Sequence, residues 1–419
     1  MTDPAEPTAP VTYPVLTAPA EGVPEIVAPP PAYHDMLAAL AGGSGPVAID
    51  TERAQGFRYT AKAYLIQLRR AGSGTHLLDP TAFEDGAPRA DLTSLSDALA
   101  GAEWILHAAS QDLPCLSEVK LWPTTLFDTE LAARLLGIPK VNLNALMELA
   151  VGVSLLKEHS AADWSRRPLP EEWLAYAALD VERLDDLRLW LIDQLTEAGK
   201  LEWAYQEFDH LTAHAADPVV AVADPWRRTS GLHDVHTGLG LAIVRELWQV
   251  RDAIAAADDR APGRVLNDRS ITELAAQLER TRTAPTRAEL RRVRGFTMRV
   301  AARHEASWLD AIQAALATPR HDLPPRHVEA SGPPQPRTWQ HRWPESFARW
   351  SRVRPALVTR AEELEVPVEN LLSPEVVRRL LFEAPAAMDA AGLAERLTAL
   401  GARPWQQELA IPVILAAWS

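Results

Sequence analysis

Two carboxylates set two residues apart, Asp50 and Glu52, close the apolar run Pro46-Val-Ala-Ile-Asp-Thr-Glu-Arg53, and the tripeptide Asp-Thr-Glu returns at 128–130 in LFDTELAARLLG. Residues i and i+2 of a strand share a face, so Asp50 and Glu52 project together from a strand end, an arrangement suited to gripping a hard divalent cation through oxygen. The second copy introduces the helical run LAARLLG, closed by Gly137; there Asp128 reads as an N-cap and Glu130 as a first-turn acid favoured by the helix dipole. The first copy is the candidate site and the second a cap.

More acids keep the first pair company. Asp112, in 107-HAASQDLPCL-116, enters a helix at the carboxyl end of the strand EWILH, where ligands of open α/β sheets collect. Its plainer reading is one more helix-start acid. In 173-WLAYAALDVERL-184, Tyr176 and Asp180 stand at i and i+4 on one helix face among small alanines. Singly, each feature has a bland explanation: a solvated turn for Asp-x-Glu, an amphipathic helix for the Tyr and Asp pair. Jointly they supply four carboxylates and one phenol from three elements.

The elements that must bring these residues together alternate. YHDMLAALA reads as helix, VAIDTE, AYLIQLRR and THLLD as strands, SLSDALAG as helix and EWILHA as strand, with GVPEIV as an edge strand. Such alternation predicts a sheet covered by helices. Beyond LFDTE the chain reads as helical to about residue 215, and AADPVVAVADP then reads as a linker. Residues 231–317 form an all-helical block, and the Pro-rich 319-PRHDLPPRHVEASGPPQP-336 separates it from a third block at 339–419. Both blocks open with a Trp/Arg helix, pass through Val-Leu-Asn-Asp or Leu-Leu-Ser-Pro into a second helix, and reach a small turn near Gly295 or Gly401, a pattern that predicts an internal duplication.

Bulk properties narrow the possibilities. With 419 residues the chain exceeds one ordinary core. The lone Cys115 permits no internal disulfide and fits a reducing cytoplasm; it reads first as a core residue and only second as a nucleophile. No run approaches the ~20 apolar residues that span a bilayer, and nine prolines within residues 1–31 predict a tail with too little apolar surface to order. A net charge of −14 confines any contact with a polyanion to local basic patches or metal ions. One such patch lies at 281–303, with seven arginines against Glu289 alone. Centred on Arg291, Arg292 and Arg294 beside a Gly turn, it reads either as an RNA-positioning surface or as a solvated helix paired with acids elsewhere. Trp343, Phe347 and Trp350 invite base stacking, but their i, i+4, i+7 spacing is that of a core stripe.

VAIDTER, HAASQDL and YAALDV resemble the three exonuclease motifs of the DEDD superfamily in its Tyr-containing form, and 157-KEHSAADWSRRPL-169 resembles the loop before the third motif in the ribonuclease D family. LWQVRD, RVLND and ELRRVRGF, within 235–317, resemble the HRDC module (helicase and RNase D C-terminal) that RecQ helicases also carry, and the third block resembles a second copy. The resemblance spans roughly residues 22–419. It implies an α/β, RNase H-like mixed-sheet exonuclease domain at 22–215 and two all-α HRDC-like domains at 231–318 and 339–419, with a tail at 1–21 and linkers at 216–230 and 319–338.

The same resemblance implies a metal-dependent 3′–5′ exoribonuclease using two divalent ions, Mg²⁺ or Mn²⁺. Asp50, Glu52 and Asp180 would hold the ion that activates water, Asp50 and Asp112 the ion beside the leaving oxygen, and Tyr176 would orient the water or accept its proton, positioning being preferred for a phenol whose ordinary pKa is about 10. Lys157, Trp164 and Arg167 could touch the substrate backbone, with packing preferred for Trp164; His159 lies close in sequence, and His107 reads equally as a core or hydrogen-bonding residue. RNA with a free 3′ end, such as a tRNA precursor, is the implied substrate of a cytoplasmic monomer without membrane contact. The rivals are a DNA 3′–5′ exonuclease of the same superfamily and an idle RNA-binding adaptor.

Overall fold

The computed structural model describes residues 12–156, 161–218, 220–327, 332–385 and 387–418. Its strands are β1 (Val15–Leu16), β2 (Ile26–Val27), β3 (Ser44–Arg53), β4 (Ala63–Ala71), β5 (Gly74–Leu78), β6 (Trp104–Leu106), β7 (Leu126–Asp128) and β8 (Ser154–Leu155). Six of them form one mixed sheet in the order β2-β5-β4-β3-β6-β7. β3, β4 and β5 run as an antiparallel meander, while β6 and β7 extend it from β3 in parallel. Parallel neighbours need crossovers, and these carry the helices Thr93–Ala98 and Leu113–Glu118. Along β3, Val47 and Ile49 are buried on one face, and Asp50 and Glu52 fall on the other. The helix Glu171–Glu182 crosses β3, β4 and β5, and its Ala177 and Ala178, with no side chain beyond Cβ, let it lie close over Leu65 and Leu77.

The mixed sheet and the edge strand of GVPEIV match expectation, but three boundaries differ. Leu126–Asp128 is a strand, because three residues suffice to pair with the buried β6 although no alternation marks them. Residues 12–21, expected within the tail, are tied down: β1 pairs with β8 in parallel, and Glu21 pairs with Arg69 at 3.0 Å. The expected linker 216–230 also yields residues to the next domain, since Trp226 and Thr229 are buried and Trp226 belongs to that domain's core.

The two helical blocks share an element order. Each has a 20-residue helix (Gly238–Ala257; Pro344–Glu363) preceded by a short helical turn, continues through a four-residue helical turn (Pro262–Val265; Val368–Leu371) and enters a helix whose N-cap side chain is Asn267 or Ser373. They differ in how they meet the sheet domain. The first block has its own core and touches the loop after β3: Ala261 N–H donates to Phe57 O (3.0 Å), the Arg264 guanidinium lies 4.1 Å from the Phe57 ring centre, and Tyr59 Oη bonds Asp252 (3.0 Å). The third block shares a continuous core with the sheet domain. Trp405 stacks on Trp203 at 5.0 Å, and buried Glu207 accepts from both Trp405 Nε1 (2.8 Å) and Arg403 Nε (2.7 Å). Among the described residues, no helix is long and apolar enough to cross a membrane.

Candidate active site

Asp50 and Glu52 reach the site from β3, and Tyr176 and Asp180 from the covering helix Glu171–Glu182. One carboxylate oxygen from each of Asp50, Glu52 and Asp180 lies within 4.8 Å of the others, close enough for a shared cation. Asp112 lines the same cleft, of about 540 Å³, together with Tyr176, His107, Arg53 and Asn142. It stands outside the trio: Asp112 Oδ1 accepts from Thr51 Oγ1 at 2.6 Å and lies 3.7 Å from Arg53 Nη2. Asp112 is the N-cap position of its helix by sequence, yet its side chain makes no capping bond, so the helix-start explanation fails for it.

Electrostatics mark these acids apart. Burial pushes Asp50 and Glu52 well above the usual carboxylate range, and the neighbouring acids add to the rise. Burial likewise pushes Asp112 up to about 6, against the opposing pull of the Thr51 hydroxyl and Arg53, and Asp180 up to about 7. The Tyr176 hydroxyl bonds Asp180, and burial followed by the nearby carboxylates raises the phenol above its ordinary value, so it stays protonated. Four acids that repel one another, Glu52 and Asp112 buried and Asp50 and Asp180 half-buried, fit a site for hard cations, whose charge would relieve both the repulsion and the desolvation. The donor set is all oxygen, which suits Mg²⁺ or Mn²⁺.

The second Asp-Thr-Glu is the cap that its context predicts. Asp128 accepts from the N–H groups of Glu130 (2.9 Å) and Leu131 (3.1 Å). It also accepts from Ala108 (3.1 Å) and Ala109 (2.8 Å), where Ala108 adopts a left-handed φ of 62°. Asp128 thereby braces the turn that carries Asp112, a role that sequence spacing does not reveal. Thr51 and Arg53, the middle residue and the neighbour of the first motif, are further supports that sequence reasoning missed; Arg53 Nη1 also bonds Gln111 O.

Other candidates resolve differently. Arg167 is a strut: its five N–H donors go to Asp79 (2.6 and 2.7 Å) and to the carbonyls of Trp164, Arg166 and Tyr64 (2.8 Å each), so the donors expected to meet RNA have partners within the fold. Trp164 is fully buried beside Trp173 and Tyr176. Lys157 and His159 lie outside the described residues. His107 Nδ1 pairs with Thr129 Oγ1 at 2.9 Å, and burial lowers the ring to about 4, so it is neutral. Cys115 is buried and pushed up to about 11 by desolvation, which removes it as a nucleophile. Arg291, Arg292 and Arg294 are all exposed, and Arg291 pairs with Glu305 at 2.6 Å. Gly295 serves packing: a Cβ there would meet Ser270 Oγ at 2.1 Å. Trp343 packs on Phe382 and Trp350 on Trp339, as a core stripe should.

A mixed sheet bearing this carboxylate cleft, followed by helical domains, has the build of a 3′–5′ exonuclease. Residues 24–196 match the family described as 3′-5′ exonuclease, 240–312 the HRDC domain, and 332–418 the 3′ to 5′ exonuclease C-terminal domain. The ribonuclease D proteins of Gluconacetobacter diazotrophicus and Granulibacter bethesdensis are each 31% identical to the chain, over 80% and 81% of it and 81% of their own lengths. The chain belongs to the ribonuclease D family. A crystal structure of a Bifidobacterium adolescentis protein superposes with TM-score 0.86 at 37% identity, covering 97% of this chain and all of that one (100%). Escherichia coli RNase D, described as an exoribonuclease involved in structured RNA processing, shares the fold at TM-score 0.63 and 24% identity, covering 85% of this chain and 89% of its own.

Proposed function

We propose that this 3′–5′ exoribonuclease of the ribonuclease D family works in the cleft over Asp50, Glu52, Asp112, Tyr176 and Asp180, hydrolysing RNA from a free 3′ end and releasing nucleoside 5′-monophosphates one at a time. The observation that carries the reading is the convergence of the Asp50, Glu52 and Asp180 carboxylates within 4.8 Å from a strand and a helix. Two divalent cations, Mg²⁺ or Mn²⁺, would when bound there activate water and neutralise charge on the departing 3′-oxygen. Asp50, Glu52 and Asp180 would hold one such ion, and Asp50 with Asp112 the other, Asp112 being kept in place by Thr51 and Arg53. Water oxygen attacks phosphorus, the P–O3′ bond breaks, and the shortened RNA keeps the 3′-oxygen with a proton. Tyr176, protonated and bonded to Asp180, orients the water and does not act as a base.

The substrates we assign are the 3′ tails of structured RNAs such as tRNA precursors, handled by a cytoplasmic monomer. Exposed Arg292 and Arg294 on the HRDC domain would steady the RNA body by phosphate contacts. The test is degradation of matched 5′-labelled RNA and DNA oligonucleotides in Mn²⁺, with chromatography of the released mononucleotide. The reading predicts RNA shortened stepwise from its 3′ end to 5′-monophosphates, with Asp50→Ala inactive but still binding RNA. Preferred DNA hydrolysis favours the DNA exonuclease, and no hydrolysis of either favours the adaptor.

A further inference from the structure

Gln67 stands directly opposite Asp50 in the β3–β4 ladder and opposite Leu77 in the β4–β5 ladder. Directly opposed residues of antiparallel strands place their side chains on the same face, ~4.5–5.5 Å apart at Cβ. Gln67 therefore shares the face of Asp50 and Glu52, beneath the helix that brings in Tyr176 and Asp180. It is completely enclosed, at 0% exposure, between Leu65 and Arg69 on its own face of β4 and opposite the apolar Leu77 of β5. Neither its Nε2 nor its Oε1 has a hydrogen-bond partner among the described residues.

An enclosed amide without partners costs on the order of 1–3 kcal/mol for each unpaired group, whereas Leu or Met would fill similar space without that cost. The Asp50 carboxylate is the polar group across the strand, and the bonding that holds it is a backbone N–H at Thr51, with Arg53 nearby as a charge. A carboxylate offers about four acceptor sites, so Asp50 has room for another donor.

We propose that Gln67 is a positioning residue of the ion site: its Nε2 donates to the Asp50 carboxylate across the strand when the site holds divalent cations, fixing the orientation of the oxygens that face the cleft. The inference rests on the reading that the cluster binds such cations. Groups that orient a metal-holding side chain typically change metal affinity by about 10–100-fold when removed. The role explains why an amide, not an aliphatic side chain, occupies the fully enclosed position opposite Asp50.

The test compares wild type with Gln67→Met, of equal length and without donors, and with Gln67→Leu. Two quantities are read without RNA: Mn²⁺ affinity by calorimetry at pH 8, and the melting temperature in EDTA. We expect either variant to melt at or above the wild-type temperature in EDTA, because an unpaired amide has gone, yet to bind Mn²⁺ about ten-fold more weakly; KM for RNA stays unchanged. Wild-type Mn²⁺ affinity in both variants overturns the role of Gln67 and leaves the ion site standing. A variant that melts lower and binds Mn²⁺ normally marks the amide as structural and also overturns it. If wild type itself takes up no Mn²⁺, the ion site fails and this inference with it.

Discussion

Thr51 Oγ1 donates to Asp112 Oδ1 across 2.6 Å, so the residue between the two acids of the first motif holds the acid of the second. The bond is buried and charge-assisted, and it favours the ionised form of Asp112. Thr51→Val keeps the shape of the side chain and removes the donor. Loss of a hydrogen bond to a charged group costs about 1.5–3 kcal/mol; we expect kcat to fall about ten- to hundred-fold. The acid limb of the rate profile should move to higher pH, because Asp112 then holds its proton more tightly. A pH series of kcat in saturating Mn²⁺ measures both.

The site acids also set how stability depends on pH. Asp112 and Asp180 are raised to about 6 and about 7, and Asp50 and Glu52 well above their ordinary range. A raised acid binds its proton more tightly folded than unfolded. Its stabilising contribution is complete below the unfolded pKa of ~4 and is lost as pH rises through the folded value. Thermal melts in EDTA should therefore show stability falling between pH ~4 and ~7, and Asp180→Asn should flatten the fall. Divalent ions bind the ionised form, so Mn²⁺ should raise the melting temperature most at pH 8.

Tyr176→Phe separates positioning from base catalysis. The phenol remains protonated and bonded to Asp180, so its loss should lower kcat about ten- to hundred-fold while leaving the shape of the alkaline limb unchanged. Disappearance of an alkaline limb in the variant would show that the tyrosine titrates in the reaction.

The arginines divide by partner. Arg167→Ala breaks the twin bonds to Asp79 and three carbonyl contacts, so it should lower the melting temperature and leave the salt dependence of RNA binding unaltered. Arg292→Ala and Arg294→Ala should leave the fold intact, weaken RNA binding and reduce the slope of log affinity against log salt by about one unit each. Filter binding at several salt concentrations distinguishes the two outcomes.

Docking of the third block should be equally sensitive. Gly137 adopts φ 71°, and a Cβ there would meet Glu365 O at 2.4 Å, a backbone atom of the third block. Gly137→Ala combines a left-handed strain of ~1–2 kcal/mol with that clash, and Glu207→Ala strips the buried acceptor from Arg403 and Trp405. Limited proteolysis should cut near 318–338 faster in both variants than in wild type.

Much of this site is readable from the chain because its chemistry depends on side-chain type at fixed local spacing. Asp50 and Glu52 alternate along a strand, and Tyr176 and Asp180 share a helix face, so periodicity alone orients each pair. What spacing does not contain is the long-range partner. Thr51 looks like filler until Asp112 is folded against it, Asp128 looks like a simple cap until the Ala108 turn meets its second oxygen, and Arg167 looks cationic and available until Asp79 is in place. The same limit explains the strand Leu126–Asp128 and the pairing of Val15–Leu16 with Ser154–Leu155, segments too short for any periodicity to show.

The central claim is that carboxylates converging from β3 and the Glu171–Glu182 helix cage divalent ions. Calorimetric titration of Mn²⁺ into the metal-free protein at pH 8, in two buffers of different ionisation enthalpy, tests it most directly. The account predicts saturable uptake of two ions per chain with release of protons, and loss of at least one ion in Asp180→Asn. Equal uptake by wild type and Asp180→Asn, or uptake without proton release, contradicts it.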